Sequence, residues 1–408
     1  MTEDRNTEVI VVDSIMGSGK TTWAIQHIKE ATDENIMYIT PLLDEIERIK
    51  KSCYPRQIHD PKSIDGRKMN GLAWALQNDL DVASTHALFK QLSDECIELL
   101  SQKEYVLFID EALDTIEEYQ LKHKGDIQLL VDKGLVRIRE DGFIEWIEQK
   151  EYDSSFNEIK TLARNNCLFY LRGKFLMWRF PPRIFKLFKR IYILTYMFSS
   201  SLMSGYFKMC GVNFEKKSVI KCGDRYELVD YFVPDKGQFR GLIDIYEGRY
   251  TKQYDKMKDN TFSYTWYASS LEKKATVERI KLDFCSYVRY ERKAKSADVM
   301  WTTFKEKRRL LSAKGYAKGF VSCNSRGTNK YADRSVLIYG INKYMLPALK
   351  AYLSSNHAAV DEDLYALAEM LQWIWRSRIR NGEKIWIYIP SPRMRRLLKN
   401  WLDGNIAL

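Results

Sequence analysis

The fold is decided by the stretch Val9-Ile10-Val11-Val12-Asp13-Ser14-Ile15-Met16-Gly17-Ser18-Gly19-Lys20-Thr21-Thr22. An apolar, β-branched run such as its first five residues is typical of a buried strand. The run ends in a short loop with two glycines, and residues 21–31 then have the composition of a helix. Strand, glycine-rich loop and helix in this order are the context that a phosphate-binding P-loop requires. We therefore predict an α/β fold organised around a nucleotide site.

Each residue type in this loop has a chemical reason. Gly17 and Gly19 let backbone N–H groups turn inward around phosphate oxygens. Lys20 reaches the β- and γ-phosphates of ATP, and Thr21 offers its hydroxyl to Mg²⁺. The first loop position, usually Gly or Ala, is Ser14, which is small enough for the loop to close. The predicted nucleotide-binding residues are Met16, Gly17, Ser18, Gly19, Lys20, Thr21 and Thr22.

A P-loop needs a partner carboxylate on a nearby strand. Residues 106–111, Val-Leu-Phe-Ile-Asp-Glu, form an apolar run that ends in two acids. In α/β sheets, ligands bind beyond the carboxyl ends of the strands, which is where Asp110 would emerge. We predict that Asp110 holds Mg²⁺ through water and that Glu111 polarises the attacking water.

The pattern along the chain predicts parallel sheets. Apolar runs at 9–13, 36–40, 82–85, 106–110 and 192–197 alternate with helical stretches, as in a parallel α/β fold. About 80 residues separate the fourth run from the fifth, so we place an insertion, mostly helical and hairpin, at about 121–190. Its hairpin would pair residues 135–139 with 143–147 around Asp141-Gly142.

A second set of runs predicts a second α/β domain. Strands are expected at 228–233, 242–246, 262–267, 319–323, 336–339 and 384–389, and helices at 346–354, 361–380 and 392–401. The 408 residues suffice for two to four domains. We assign 1–210 to the first domain with its insertion, and 225–408 to the second.

Charge and cysteine content limit the class of protein. Residues 1–150 carry a net charge of −11 and residues 151–408 a net charge of +22. Residues 161–190 hold eight basic residues and no acidic one, interleaved with aromatics. A basic, aromatic-rich surface of this kind suits nucleic acid. For any single cluster a solvated basic face over core aromatics is the better interpretation, but across more than half the chain we favour nucleic acid. The seven cysteines contain no CxxC pair, which argues against a zinc ribbon or a disulfide framework.

These motifs, in this order, resemble those of superfamily 2 helicases, and most of all the replication helicases of tailed bacteriophages. Residues 16–21 look like motif I, and Asp110-Glu111-Ala112-Leu113 resembles the DExx box. Tyr38-Ile39-Thr40-Pro41 is similar to motif Ia, and Ala83-Ser84-Thr85-His86 to the next motif that contacts the nucleic-acid backbone. Leu194-Thr195 falls at motif III, and residues 324–329, with Arg326 and Thr328, look like motif V. The upstream Q-motif of DEAD-box proteins, which recognises adenine, is not recognisable.

The last resemblance is to motif VI, at residues 372–378, although the motif's glycines are missing. Gln372, Arg376 and Arg380 recur at i, i+4 and i+8, which would put them on one face of a helix. We predict Arg376, and after it Arg380, as an arginine finger that neutralises charge on the transferred phosphoryl group. The alternative interpretation is that these arginines only form the solvated, basic end of a helix, which the helix dipole favours.

The resemblance implies an ATP-dependent DNA helicase or translocase with two RecA-like lobes and ATP between them. Its catalytic residues would be Lys20, Asp110, Glu111, Gln372, Arg376 and Arg380. Its nucleic-acid contacts would be Thr40, Pro41, Ser84, Thr85, His86, Lys174, Arg179, Arg326 and Thr328. The expected partners are single-stranded or forked DNA, with RNA not excluded, and replisome proteins. We expect no membrane association and a cytoplasmic location, in the host if the protein is phage-encoded.

A second interpretation belongs to another class of protein, the replication-origin-binding initiators. ATP would then only gate binding to duplex DNA, and the basic insertion would read the duplex. Hydrolysis that is stimulated more by duplex than by single strands would favour the initiator.

Overall fold

The computed structural model describes residues 7–123, 125–148, 155–173, 175–269, 273–323 and 330–406. The chain forms two units that are not contiguous in sequence. Unit 1 comprises Met1–Val12, Thr21–Lys217 and Leu346–Val360, and unit 2 comprises Asp13–Lys20, Ser218–Met345 and Asp361–Leu408.

The strands are β1 (Glu8–Asp13), β2 (Asn35–Thr40), β3 (Val82–Thr85), β4 (Tyr105–Asp110), β5 (Ile116–Glu118), β6 (Val136–Ile138), β7 (Ile144–Trp146), β8 (Leu168–Leu171), β9 (Phe175–Arg179), β10 (Arg190–Thr195), β11 (Glu215–Cys222), β12 (Arg225–Asp230), β13 (Ile243–Ile245), β14 (Val299–Thr302), β15 (Val336–Tyr339) and β16 (Ile385–Tyr388).

The α-helices are α1 (Lys20–Glu30), α2 (Leu43–Cys53), α3 (Lys68–Gln77), α4 (His86–Phe89), α5 (Asp94–Gln102), α6 (Asp126–Asp132), α7 (Asn157–Arg164), α8 (Leu202–Cys210), α9 (Gly237–Arg240), α10 (Arg249–Lys252), α11 (Tyr264–Ala268), α12 (Lys274–Ser286), α13 (Arg308–Leu311), α14 (Pro347–Ser355), α15 (Glu362–Ile374) and α16 (Pro392–Leu402).

A seven-stranded sheet with the order β12-β11-β1-β10-β4-β2-β3 carries the N-terminal motifs. The pairs β1–β11, β10–β4, β4–β2 and β2–β3 are parallel. The first residues of β1 and β10 are adjacent, since Glu8 N donates to Lys189 O at 3.4 Å. The prediction of an α/β fold with parallel sheets is confirmed. β12, expected in the second domain, is the edge strand of this sheet, since a tight turn at Gly223 returns it beside β11. The boundary between the two domains stays a prediction.

Parallel strands bring their carboxyl ends to one edge of the sheet. In register, Leu194 pairs with Asp110, Ile39 with Ile109, and Thr40 with Thr85. The last residues of β10, β4, β2 and β3 therefore lie along the edge at which β1 ends. The motifs that the sequence analysis singled out on these strands all emerge there.

The insertion contains a three-stranded antiparallel sheet, β5-β9-β8, and the hairpin β6-β7. The hairpin prediction is confirmed, with Gly142 in a left-handed conformation at the turn. Most aromatic rings of the basic cluster at 161–190 form the core of unit 1, which agrees with the interpretation of a basic face over core aromatics. The buried ones are Phe169, Trp178, Phe180, Phe185 and Phe188.

Unit 2 contains a four-stranded parallel sheet with the order β13-β16-β15-β14. The strand predicted at 262–267 is wrong. Ser263 instead caps the helix α11, its hydroxyl accepting from Trp266 N at 3.2 Å, and the Trp266 and Tyr267 side chains are buried. The strand predicted at 319–323 is also wrong: Ala317–Gly319 is a 3₁₀ turn, and Phe320 makes an isolated bridge to Trp301.

Helix α14 belongs to unit 1 although the segments on both sides of it belong to unit 2. Its Tyr352 ring lies 4.9 Å from the Phe169 ring. The segment also packs closely on α8, where a Cβ on Gly205 would lie 2.9 Å from Val360 Cγ2 and 3.0 Å from Ala358 O. None of the helices in the described parts of the chain is long and apolar enough to cross a membrane.

Candidate nucleotide site and its neighbours

The loop between β1 and α1 has the backbone of a phosphate cradle. Gly17 and Gly19 have φ values of +82° and +99°, which L side chains rarely adopt. A Cβ on Gly17 would have no atom within 4 Å, so the loop is open on that side. The Ser18 hydroxyl is buried and has no hydrogen-bond partner among the described residues. An open cradle that contains an unsatisfied hydroxyl fits a phosphate ligand.

Lys20 lies over this loop. Its Nζ donates to Ser14 O at 2.5 Å and to Ile15 O at 3.0 Å, so the ammonium is held at the cradle by the loop's own carbonyls. Lys20 is also the first residue of α1, and Thr21 and Thr22 follow it in the first turn. The helix N-terminus adds partial positive charge at the same place. Met16, Ser18, Lys20 and Thr21 are partly exposed and therefore accessible to a ligand.

Ser14 explains how the loop tolerates an unusual first residue. It is 5% exposed, and its hydroxyl accepts a hydrogen bond from the buried backbone N–H of Val219 on β11, 2.9 Å away. A Gly or Ala at this position would leave that N–H without this partner. The hydroxyl thus fastens the loop to a strand 205 residues later in the chain.

Helix α1 is positioned by aromatic packing within unit 1. The Trp23 ring lies 5.0 Å from Tyr192 on β10, edge to face, and 6.2 Å from Phe108 on β4. The Phe108 and Tyr192 rings are themselves stacked at 4.9 Å. These contacts fix the helix over the two strands that end at Asp110 and Thr195.

Asp110 is the last residue of β4, at the carboxyl edge of the sheet. Burial, and secondly the charge of Glu111, raise the pKa of Asp110 to about 7. The nearby Tyr38 hydroxyl makes a smaller contribution that lowers this pKa. A desolvated carboxyl beside a second acid is a site that a divalent cation would favour, because the cation offsets both penalties. Asp110 therefore fits the predicted magnesium role.

Glu111 has a left-handed backbone, with a φ of +64°. A non-glycine residue in this region is uncommon, and such strain is concentrated at functional sites. The conformation is held in part by a hydrogen bond from Glu111 N to Leu194 O, 3.0 Å away. Two residues later, Leu113 N donates to Met203 Sδ on α8 at 3.4 Å. Residues 110–113 are therefore fixed to β10 and to α8.

Most predicted nucleic-acid contacts of unit 1 lie at the same edge but are packed rather than projecting. Thr40 is fully buried, and its hydroxyl has no partner among the described residues. Thr85 caps α4, its hydroxyl accepting from Leu88 N at 3.2 Å, and Ser84 and His86 are buried. Pro41 is partly exposed.

Of the remaining predicted nucleic-acid contacts, the structure describes one. Arg179 is in the insertion at the end of β9, where its guanidinium lies 4.4 Å from the centre of the Phe143 ring. Its Nε is buried. Lys174, Arg326 and Thr328 lie outside the described residues.

The structure contradicts the helical face predicted for motif VI. Helix α15 ends at Ile374 because the next turn tightens: Arg376 N donates to Trp373 O, and the Ser377 hydroxyl and N–H both bond to Ile374 O. Gln372 is therefore on the helix, whereas Arg380 is exposed on a separate 3₁₀ turn, Arg378–Asn381. The three residues do not share a helix face.

Arg376 itself is 5% exposed and packs within unit 2. Its Nη1 lies 3.5 Å from Ser322 O, two residues before the segment assigned to motif V. Arg376 is thus held by a turn rather than by a continuous helix.

A protein related in sequence shows the family to which this chain belongs. The SPbeta prophage-derived uncharacterized protein YonV of Bacillus subtilis (strain 168) is 37% identical over 416 residues, covering 97% of this chain and 99% of the relative. The chain belongs to the YonV family. The YonV C-terminal Rossmann-like domain matches residues 237–402, which contain the four-stranded parallel sheet. The YonV middle domain matches residues 116–178, the part of the insertion from β5 to β9.

Solved structures similar to this YonV-family chain include three helicases. They are S. tokodaii Xpd4 (13% identical, covering 98% of this chain and 95% of that chain, TM-score 0.48), a hypothetical ATP-dependent RNA helicase from Sulfolobus tokodaii (11%, 98% and 91%, TM-score 0.27) and the DUF1998 helicase MrfA bound to DNA (11%, 98% and 46%, TM-score 0.32).

Proposed function

We propose that this YonV-family protein is an ATP-hydrolysing nucleic-acid motor, a superfamily 2 helicase or translocase with two RecA-like lobes. One observation carries the proposal: the phosphate loop follows β1, Asp110 ends β4, and a single strand, β10, separates these two strands of one sheet. Ligands bind at the carboxyl ends of such strands. An anion cradle and a desolvated carboxylate at one edge suit a nucleotide with its magnesium ion.

Each residue of the proposed nucleotide site has a separate chemical role. Lys20 and the N–H groups of residues 16–21 would bind the β- and γ-phosphates, and Thr21 and Asp110 would hold Mg²⁺. When bound, the ion neutralises charge on the phosphate oxygens. Glu111 would orient and polarise the attacking water, and its fixed backbone would limit the freedom of that carboxylate. Arg376 remains our candidate for the arginine finger.

The same sheet edge supports a coupling between the nucleotide and nucleic acid. Thr40 and Thr85 end the strands beside Asp110, so a change at the nucleotide is only one or two strands from the segments that resemble backbone-contacting motifs. The basic excess of residues 151–408 suits a polyanion. Because a relative is prophage-derived, we place the activity in phage DNA replication or recombination, on single-stranded or forked DNA.

The test measures ATP hydrolysis by the full chain with Mg²⁺, alone and with single-stranded DNA, duplex DNA or RNA, beside Lys20→Ala as control. We expect single strands to stimulate hydrolysis and the stimulation to fall as salt rises, because phosphate contacts release counterions. Duplexes with 3′ or 5′ tails then test strand displacement. Stimulation by blunt duplex without displacement would favour the initiator instead. Hydrolysis that Lys20→Ala leaves intact would refute the proposed site.

A further inference from the structure

The aromatic ring of Tyr226 lies directly against the phosphate loop. A Cβ built on Gly19 would be 2.0 Å from Tyr226 Cε1, 2.5 Å from Cδ1 and 2.8 Å from Cζ. Position 19 therefore requires glycine for two reasons. Its φ is positive, and the Tyr226 ring occupies the space that a side chain would need. Tyr226 is partly exposed, whereas its neighbours on β12, Arg225 and Glu227, are exposed.

The hairpin that carries Tyr226 is tied to the loop independently of this ring. Val219 on β11 donates to the Ser14 hydroxyl at the start of the loop. Beyond β12, burial and secondly the charge of Asp13 raise the pKa of Tyr231 to about 12, so Tyr231 lies near the end of β1. The Ser218 hydroxyl accepts from Phe232 N at 3.1 Å and links the two arms of the hairpin. Tyr226 is thus held beside the loop by a hairpin that is itself fixed in place by these contacts.

We propose that Tyr226 stacks on the base of the bound nucleoside triphosphate and that the β11–β12 hairpin forms the wall of the base pocket. This inference rests on the nucleotide site proposed above. A triphosphate in the cradle fixes where the attached nucleoside begins, and the Tyr226 ring contacts that cradle at Gly19. Aromatic stacking accepts the π-face of any base without hydrogen-bond recognition. The hairpin therefore supplies the base contact that the missing Q-motif leaves unassigned.

Inorganic tripolyphosphate separates the base from the phosphates, because it carries the phosphates alone. Calorimetric titration of the full chain with Mg²⁺–ATP and with Mg²⁺–tripolyphosphate would compare wild type, Tyr226→Ala and Tyr226→Trp. Tyr290→Ala is the matched control, since Tyr290 is an exposed tyrosine of unit 2. We expect Tyr226→Ala to weaken ATP binding about 5- to 100-fold, the range for loss of one base–aromatic stack. Tripolyphosphate affinity should stay within about twofold, and Tyr226→Trp should bind ATP like wild type.

Three results would overturn the stacking role. Unchanged ATP affinity in Tyr226→Ala would show that the ring does not touch the nucleotide. An equal loss for ATP and tripolyphosphate would show that the ring only shapes the loop. An equal gain for both would show that it blocks the loop. Failure of the nucleotide site itself gives a different pattern, in which wild type and Lys20→Ala bind both ligands alike.

Discussion

The backbone N–H of Glu111 donates to the carbonyl oxygen of Leu194, 3.0 Å away, across the end of the β4–β10 ladder. This bond continues the strand register by one residue while Glu111 already has a left-handed conformation. Glu111, the catalytic candidate that directly follows β4, is therefore in contact with the segment that resembles motif III. A shift of one end of this bond would displace the other.

Glu111→Gln should separate nucleotide binding from turnover. The amide keeps the size of the side chain but is a far weaker base, so we expect hydrolysis to fall about 10²- to 10⁴-fold with ATP affinity nearly unchanged. Steady-state hydrolysis and equilibrium ATP binding would measure the two effects. Glu118→Gln, at an exposed acid on β5, is the control. Turnover within tenfold of wild type would remove Glu111 from the mechanism.

Lys20→Ala should remove hydrolysis and leave nucleic-acid binding largely intact. The ammonium lies at the cradle through its bonds to Ser14 O and Ile15 O, so its loss removes charge where the phosphates would bind. We expect turnover to fall at least about 10²- to 10³-fold, as for loss of one preorganised electrostatic group. Lys29→Ala, at the exposed end of the same helix, should hydrolyse ATP normally. The assay is phosphate release, with DNA binding followed by fluorescence anisotropy.

Arg376→Ala tests the arginine-finger assignment. We expect turnover to fall about 10³- to 10⁵-fold with a much smaller change in ATP affinity. Because Arg376 is buried, unfolding curves must accompany the kinetics, and Arg376→Lys retains the charge. For Arg380→Ala we expect less than about a tenfold loss, since Arg380 is exposed on a different turn. A stable Arg376→Ala protein with normal turnover would leave Arg376 a structural role only.

Asp110→Asn should stabilise the nucleotide-free protein, and more so as pH rises. A carboxyl whose folded pKa is raised to about 7 disfavours folding above its unfolded value of roughly 3.9, and the penalty grows until pH passes the folded pKa. With chelator present, we expect the unfolding midpoint of Asp110→Asn to exceed that of wild type by about 2–5 °C at pH 8, and by less at pH 5. Asp33→Asn, at an exposed acid, is the control. A gain that does not depend on pH would contradict the assigned cause.

Ser14→Ala should destabilise the protein by about 1–3 kcal/mol, because the buried N–H of Val219 loses its acceptor. Equilibrium denaturation would measure the loss, with Ser52→Ala at an exposed helical serine as the control. Ser14→Thr keeps the hydroxyl and should recover part of the stability. A change below about 0.5 kcal/mol would mean that water satisfies the N–H instead.

The N-terminal half of the fold was predictable because its signals are local. The strands at 9–13, 36–40, 82–85 and 106–110 are short apolar runs bounded by turns. The loop glycines directly indicate a backbone with positive φ. The placement of Asp110 at the loop's edge of the sheet then followed from the rule for parallel strands. Ser14 also differs from the usual glycine or alanine, and a serine at such a position indicates that its hydroxyl has a hydrogen-bond partner.

The errors arose where non-local contacts override a local pattern. Residues 262–267 alternate as a strand would, but the Ser263 cap and the burial of adjacent Trp266 and Tyr267 select a helix. The helix at 361–380 lacks a sequence break near 375, and its end depends on hydrogen bonds within a buried turn. The contacts of Ser14 with Val219 and of Gly19 with Tyr226 join residues about 205 positions apart. No periodicity can reveal such pairs.

The chain passes from one unit to the other more than once, because residues 13–20 and 346–360 each cluster apart from their flanks. Truncation after residue 217 would therefore leave α8 and Phe169 without the α14 segment that covers them. Neither half expressed alone would possess a complete interior, and a single protease nick between them would not release two autonomous domains.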